Sequence, residues 1–280
     1  MRVGLALLAC TLLVAGCSQP SGTSGSQTPS PVSGLPQPLD VKEQLTGCHE
    51  ADLLFLVPYD QAQRHLPKGF VAGDVQPLLQ SPQPVGMAGV LANAVTCQGR
   101  NGTVLEGQVA ITVKAPKTNQ TLAPAGADFY EVQRYMPLLG SPLAATLRSV
   151  GWALADGAIA PAVMATPLGG ATGSGAVSDK NGTLYSFAFA APAGIPASPT
   201  FTGIGRFWQQ TPLGLGWLDY GLSAAPTAGG LASLCTIRAG SPLAAVAETT
   251  MCGPTTLGAT FPAFAVAFEA RFVPGASAQV

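Results

Sequence analysis

Short runs in which apolar and polar side chains alternate, separated by turn residues, constrain this chain more than any other feature. Leu105, Val109, Ile111 and Val113 share one parity, and Glu106, Gln108, Thr112 and Lys114 share the other, which is the period of a β-strand. The same test sets Phe264, Val266, Phe268 and Phe272 against Glu269 and Arg271, and Tyr185, Phe187 and Phe189 against Ser186. Further strand candidates are 53–57, 86–97, 129–136, 159–166, 201–208, 217–222 and 231–237. Helical stretches are few: Tyr59 to Leu66, stopped by Pro67 and Gly69, and then Pro142 to Val150 and Pro242 to Thr249. The last two each follow a serine placed as N-cap, with proline at the first helical position. The expected fold is mainly β (β-rich α+β), a single barrel or cone-like antiparallel sheet with a few short helices. Asn101-Gly102 and Asn181-Gly182 sit between strand-like runs, where such pairs favour type I′ hairpin turns.

Only 10% of the side chains are charged and the formal net charge is -1, so no positive field exists to hold a phosphate backbone, and nucleic acid is excluded as an expected partner. From Val41 to Pro274 there is no linker or charge block, so 41–280 reads as a single β-rich domain.

The first forty residues have a different character. Arg2 is followed by an apolar stretch from Val3 to Ala15, too short to span a bilayer but laid out as a secretory signal. Leu13 to Cys17 spell L-V-A-G-C, which resembles the lipobox of bacterial lipoproteins. That resemblance implies a signal peptide over 1–16, cleaved before Cys17, whose thiol then carries a diacylglycerol. Residues 17–40 are dominated by Ser, Gly, Thr, Gln and Pro and read as a lipid-anchored flexible tether. The expected location is the outer face of a cell membrane or an outer membrane, facing periplasm or exterior, with the bilayer as partner through acylated Cys17.

Cys48, Cys97, Cys235 and Cys252 are left in the body. An even count in an exported chain points to two disulfides; three connectivities are open, and proximity favours Cys48 with Cys97 and Cys235 with Cys252. With His49 and His65 the only histidines and no CxxC pair, no metal site is expected.

Sequence patterns that carry catalysis are scarce. There is no G-x-S-x-G, no Walker A sequence and no G-x-G-x-x-G between strand and helix, so no catalytic residue and no cofactor is assigned. Glu50 and Asp52 share one strand face and could act as paired carboxylates, although a solvated strand start accounts for them more simply. Asp128 and Glu131 flank an aromatic run and could be a second carboxylate pair, although loop or edge placement accounts for them more simply. Glu106 belongs either to a solvent face or to a polar patch inside a barrel. The run from Arg206 to Tyr220 gathers Arg206, Trp208, Trp217, Asp219 and Tyr220, which suits either a hairpin whose rings form core or the lining of an apolar pocket with a polar head group. Glu106, Arg206, Trp208, Trp217 and Tyr220 are therefore the candidate ligand-binding residues.

Leu54 to Phe70, L-F-L-V-P-Y-D-Q-A-Q-R-H-L-P-K-G-F, resembles the opening of acetoacetate decarboxylase-like proteins: a strand, a short helix and a Leu-Pro-x-Gly-Phe turn. The hairpin that follows, with Glu106 after its turn and V-A-I-T-V from Val109 to Val113, is similar to the next strand pair of that family, so the resemblance runs to about Lys114. It implies a β-barrel or cone-like sheet around an apolar cavity, and Schiff-base decarboxylation through one lysine of a Lys-Lys pair. Here Lys42, Lys68, Lys114, Lys117 and Lys180 are all isolated, so the pair is missing. The leading expectation is a membrane-anchored extracytoplasmic lipoprotein, non-catalytic, binding a small and largely apolar ligand in a barrel cavity. A structural or interaction lipoprotein of the cell envelope is the second reading. An enzyme of the decarboxylase type acting on a small oxo-acid is the third.

Overall fold

The computed structural model describes residues 38–75, 85–165, 171–191, 201–224, 228–254 and 256–279, which fall in one compact unit. The expected signal peptide, Cys17 and the tether as far as residue 37 lie outside the described residues, as does Thr166 at the end of one expected strand.

Twelve strands form in chain order. They are β1 (Leu39–Pro58), β2 (Met87–Gly99), β3 (Gly102–Thr112), β4 (Ala127–Met136), β5 (Leu154–Asp156), β6 (Ala158–Ala165), β7 (Ala171–Asp179), β8 (Gly182–Ala191), β9 (Phe201–Thr211), β10 (Gly214–Ala224), β11 (Ala228–Ile237) and β12 (Leu257–Pro274). Strands β1, β2, β3, β4, β9, β10 and β12 pair in that order, and β12 pairs back onto β1, closing a seven-stranded barrel. The pairing is antiparallel except where β4 meets β9 and the short β5, both parallel. Closure leaves the barrel strands without a free edge, the arrangement that best protects apolar strands from mispairing.

A second sheet, β6-β7-β8-β11, continues from the start of β12 and lies over the outside of β1, β2 and β3. One core lies between the layers, where Leu53, Phe55, Val90 and Ile111 meet Val177, Tyr185, Phe187 and Phe189. The other is the barrel interior, filled from β4, β9, β10 and β12 by Phe129, Phe207, Leu218, Tyr220, Phe268 and Phe272. The alternation along β3 and β12 is thus real, but both faces of β3 are buried, one between the layers and one inside the barrel.

The helices are α1 (Tyr59–Gln63), α2 (Pro142–Ser149) and α3 (Pro242–Ala247), each a little shorter than expected. The serine caps form: Ser141 Oγ accepts from the Ala144 amide at 3.1 Å and Ser241 Oγ from the Ala244 amide at 3.2 Å. Both Asn-Gly hairpins form as well, between β2 and β3 and between β7 and β8. They are not type I′, because only Gly102 and Gly182 take positive φ, and Glu248 is the one non-glycine residue that does so among the described residues. A type I′ turn needs positive φ at both central residues; here the central pairs are Arg100-Asn101 and Lys180-Asn181, neither with positive φ, and the glycine that follows each supplies it, as in a bulged hairpin. β1 starts at Leu39, so the folded body begins two positions before the expected boundary at 41.

Both favoured disulfides are present, Cys48–Cys97 across β1 and β2 and Cys235–Cys252 from β11 to the segment after α3.

In the Leu66 to Phe70 turn, Gly69 has φ +94°, and a Cβ there would lie 2.2 Å from the Ala278 carbonyl oxygen. Gly69→Ala should therefore cost about 1–3 kcal/mol through strain and clash, read as a lowered thermal midpoint. An unchanged midpoint would show that the C-terminal segment does not pack on this turn.

Candidate functional site

A polar row crosses the inner wall of the barrel. Asp52 pairs with Asn93, Asn93 with Gln108, and Gln108 with Arg134, one residue from each of four consecutive strands. Beside it, Glu50 pairs with Val95 and Val95 with Glu106. On β4, Glu131 and Arg134 are three residues apart, a spacing that points to opposite faces of a regular strand. A β-bulge between Glu131 and Gln133 absorbs one residue, so Glu131 opposite Ala110 and Arg134 opposite Gln108 both face inward.

Arg134 is the centre of the row and is 0% exposed. Its Nε donates to Glu131 Oε1 at 3.0 Å, its Nη2 to Glu131 Oε2 at 2.6 Å, and its Nη1 to the Tyr220 hydroxyl at 2.7 Å and to Glu106 Oε2. Gln108 Oε1 accepts from Nη2 at 2.9 Å. Tyr220 in turn donates to Glu106 Oε2 at 3.1 Å. Trp152, in the segment after α2, donates its indole N–H to Glu131 Oε1 at 3.0 Å. The ring fits because its neighbour on β10 is Gly216, where a Cβ would fall 2.3 Å from Trp152 Cζ3. From the covering sheet, the Tyr185 hydroxyl lies 2.8 Å from the Asn93 carbonyl oxygen, to which it donates, so the row is braced from behind.

Four carboxyl groups, Glu50, Asp52, Glu106 and Glu131, thus share a layer with one guanidinium. Burial holds Glu106 above the ordinary carboxylate range even with Arg134 beside it. Glu50 is raised by burial as well, and Asp52 well above its ordinary value, by burial first and then by the Glu50 charge. A side-chain hydrogen bond between the two lowers Glu50 and raises Asp52. Asn93 Nδ2 donates to Glu50 Oε1 at 2.9 Å. Asp52 Oδ1 and Asn93 Oδ1 are buried acceptors without a donor. Glu50 and Asp52 are half-buried, whereas Glu131 and Arg134 are fully enclosed.

A carboxyl group whose folded-state pKa is raised stabilises the fold below its unfolded value, and that contribution drains away as pH rises through the folded value. For Asp52 the window opens near the ordinary value of 3.8 and extends upward, at up to about 1.4 kcal/mol per pH unit. Asp52→Asn, which keeps the hydrogen bond to Glu50, should flatten this fall and leave the variant more stable than the parent at neutral pH. Chemical denaturation at a series of pH values reads the two slopes, and parallel slopes would contradict the buried pair.

Relative to the sequence-level expectations, Glu106 faces the barrel interior and not solvent, because β3 is covered on both sides. Glu50 and Asp52 lie within β1, not at a solvated strand start. Asp128 and Glu131 do not form a pair: Glu131 points inward, and Asp128 accepts from the Trp208 indole at 2.7 Å on the outer wall. The five candidate ligand residues separate likewise. Glu106 and Tyr220 meet inside the barrel, while Arg206, Trp208 and Trp217 sit on the outer side of β9 and β10, where Arg206 opposes Asp219 and Trp208 opposes Trp217.

That outer wall borders a groove of about 510 Å³, flanked by Lys42, Arg206, Asp219, Glu269 and Arg271. Its charges are paired among themselves: Arg206 Nε with Asp219 at 2.6 Å, Lys42 with Glu269 at 3.6 Å, and Arg271 with Glu269. Arg134, the hub of the inner layer, carries no sequence signal of its own as an isolated arginine, and its inward aim depends on a bulge that period two does not reveal.

No family model matches the sequence. No curated protein matches it either. Solved structures do resemble the fold. MppR, described as an enduracididine biosynthesis enzyme with HEPES buffer bound, is 12% identical and aligns over 84% of this chain and 86% of that one, with a TM-score of 0.53. MppR complexed with the condensation product of pyruvate and imidazole 4-carboxaldehyde is 13% identical over 93% and 97%, also at 0.53. An acetoacetate decarboxylase-like enzyme from Sphingomonas wittichii RW1 is 13% identical over 83% and 93%, at 0.47. Likeness at this level of identity concerns architecture alone: the chain has the barrel fold of MppR, and a β-barrel is what the resemblance from Leu54 to Lys114 implies.

Proposed function

We propose that this chain is a lipid-anchored extracytoplasmic protein whose barrel binds a small, largely apolar ligand without turning it over. The observation that carries the reading is the polar row from Asp52 to Arg134 inside a closed and otherwise apolar barrel, half-open at Glu50 and Asp52 and ending in acceptors without donors. A purely structural core gains nothing from such a row, since burying unpaired polar atoms costs stability. Phe129, Phe207 and Phe268 supply apolar surroundings for a ligand body. Related support comes from MppR, whose structures are described with small molecules bound.

The placement of the lysines supports the absence of turnover. Lys42, Lys68, Lys114, Lys117 and Lys180 are all described and all exposed, and none faces the barrel interior, so the nucleophile for a Schiff base is missing from the polar layer. Borohydride added with acetoacetate or pyruvate should leave the mass of the chain unchanged. A reduced adduct on any lysine would instead support the enzyme reading.

Export and anchoring rest on the L-V-A-G-C sequence ending at Cys17, and the two disulfides suit an oxidising compartment. Several acyl chains at Cys17 would make attachment stable. Cys17→Ser should move the protein from the membrane fraction to the soluble one, and an unaltered distribution would remove the anchor from the account. Native mass spectrometry of the intact chain purified from its own membranes tests ligand binding: a complex that loses a small mass on denaturation is expected, and an empty chain favours the structural or interaction reading.

A further inference from the structure

Charge in the polar layer is unbalanced in a way that discriminates between ligand classes. Glu50, Asp52, Glu106 and Glu131 face a single guanidinium, and Arg134 is the one cation in this layer among the described residues. The donors around Arg134 are committed inside the layer, and the one buried side-chain amide N–H group left without a partner among the described residues, Gln209 Nε2, lies on β9, away from Glu50 and Asp52 on β1. Arg134 serves Glu131, Glu106, Gln108 and Tyr220; Tyr220 serves Glu106; Trp152 serves Glu131. What is left over around Glu50 is acceptor: Asp52 Oδ1 and Asn93 Oδ1 lie buried without a donor, Asn93 at 1% exposure, and both belong to the hydrogen-bonded group around Glu50. Glu50 and Asp52 are half-buried, while the saturated Arg134 part of the layer is fully enclosed.

An anionic head such as a carboxylate placed at Glu50, Asp52 and Asn93 would meet acidic groups and no uncommitted donor. A hydroxyl head could satisfy one acceptor and leave the charge excess untouched. A primary ammonium brings one positive charge and three N–H donors to a group that offers Asp52 Oδ1, Asn93 Oδ1 and the Glu50 carboxylate, and charge-assisted bonds of this kind are the strong ones. We propose that the ligand of this barrel carries a cationic head with N–H donors, of the primary ammonium class, bound by Glu50, Asp52 and Asn93. This inference rests on the barrel being a small-ligand site and adds the chemistry of the head group.

The test uses three probes with one carbon chain and different heads: n-butylammonium, butyrate and n-butanol, titrated calorimetrically into the full chain in detergent. Butylammonium should bind, and Glu50→Gln together with Asp52→Asn should weaken it about tenfold or more. Both substitutions are near-isosteric and remove buried charge, so a melt of the variant should show an intact fold. Tighter binding of butyrate or butanol than of butylammonium would overturn the cationic head while leaving a small-ligand barrel standing. Butylammonium binding that the double variant does not weaken would place its site elsewhere and overturn the proposal. Binding of none of the probes would also overturn it, and combined with an empty chain in native mass spectrometry it would remove the small-ligand reading as well.

Discussion

Arg134→Met should destabilise the protein by about 3–5 kcal/mol, the cost of leaving a buried carboxylate without its partner. Arg134 is fully enclosed and its guanidinium bridges Glu131 and Glu106, two carboxyl groups at or below 1% exposure. Removing it strands both in an apolar barrel, where one or both must take up a proton or draw in water. The penalty comes from the orphaned acids rather than from a lost attraction, so Glu131→Gln added to Arg134→Met should recover part of the loss, and the two changes should be far from additive. Urea denaturation of the parent, the two single variants and the double variant measures the cycle. A loss under about 1 kcal/mol for Arg134→Met would mean that the carboxyl groups are not held as described.

Replacing Cys48 and Cys97 together by alanine should cost about 4 kcal/mol on the chain-entropy account, since the bond closes a loop with a sequence separation of 49. The Cys235–Cys252 bond, with a separation of 17, should cost about 3 kcal/mol. Position adds to the difference. Cys48 and Cys97 are fully buried in the barrel core beside the irregular register of β1 between Leu45 and Glu50, so the bond pins β1 to β2 where ladder pairing is interrupted. Denaturant midpoints of the two double variants should fall in that order, and a larger effect at Cys235–Cys252 would contradict it.

Which parts of this molecule can be read from its sequence depends on whether a side chain is placed by its own strand period or by something across the sheet. β3, β8 from Tyr185 to Phe189 and β12 from Phe264 to Phe272 alternate without a break and are recognisable at once, as are the two serine-capped helices, whose start signals are local. β7 is not recognisable, because its partner decides its composition. Gly173 and Gly175 lie beneath the rings of Phe189 and Phe187, and a Cβ at either would come within 2.4 and 2.6 Å of a ring carbon. The strand therefore consists of the small residues that the neighbouring aromatics require, and it shows no period. The first half of β1 escapes notice for a related reason: its register shifts near Cys48 break the alternation that its second half displays.

Among the site residues, Glu106 was ambiguous because a polar face looks the same in sequence whether it meets water or a polar barrel interior. Glu131 and Arg134 fall on one side only through a bulge, and period two assigns them to opposite sides. In the Arg206 to Tyr220 run, by contrast, the separation was legible: Trp217 and Tyr220 are three apart on one regular strand, so they must face opposite ways. Composition drew these residues together, while the pleat sends Arg206, Trp208 and Trp217 to the outer wall and Tyr220 to the interior.

The small molecule proposed for this protein would sit in the barrel interior, at the Glu50, Asp52 and Asn93 end of the polar row. Native mass spectrometry of membrane-purified chains tests this most directly when the parent is compared with Asp52→Asn and with Lys42→Ala, a change confined to the outer groove. A bound small molecule is expected in the parent and in Lys42→Ala, with occupancy sharply reduced in Asp52→Asn. A molecule retained by Asp52→Asn and lost from Lys42→Ala would move the site to the outer groove, and chains empty in all three would contradict a ligand-binding barrel.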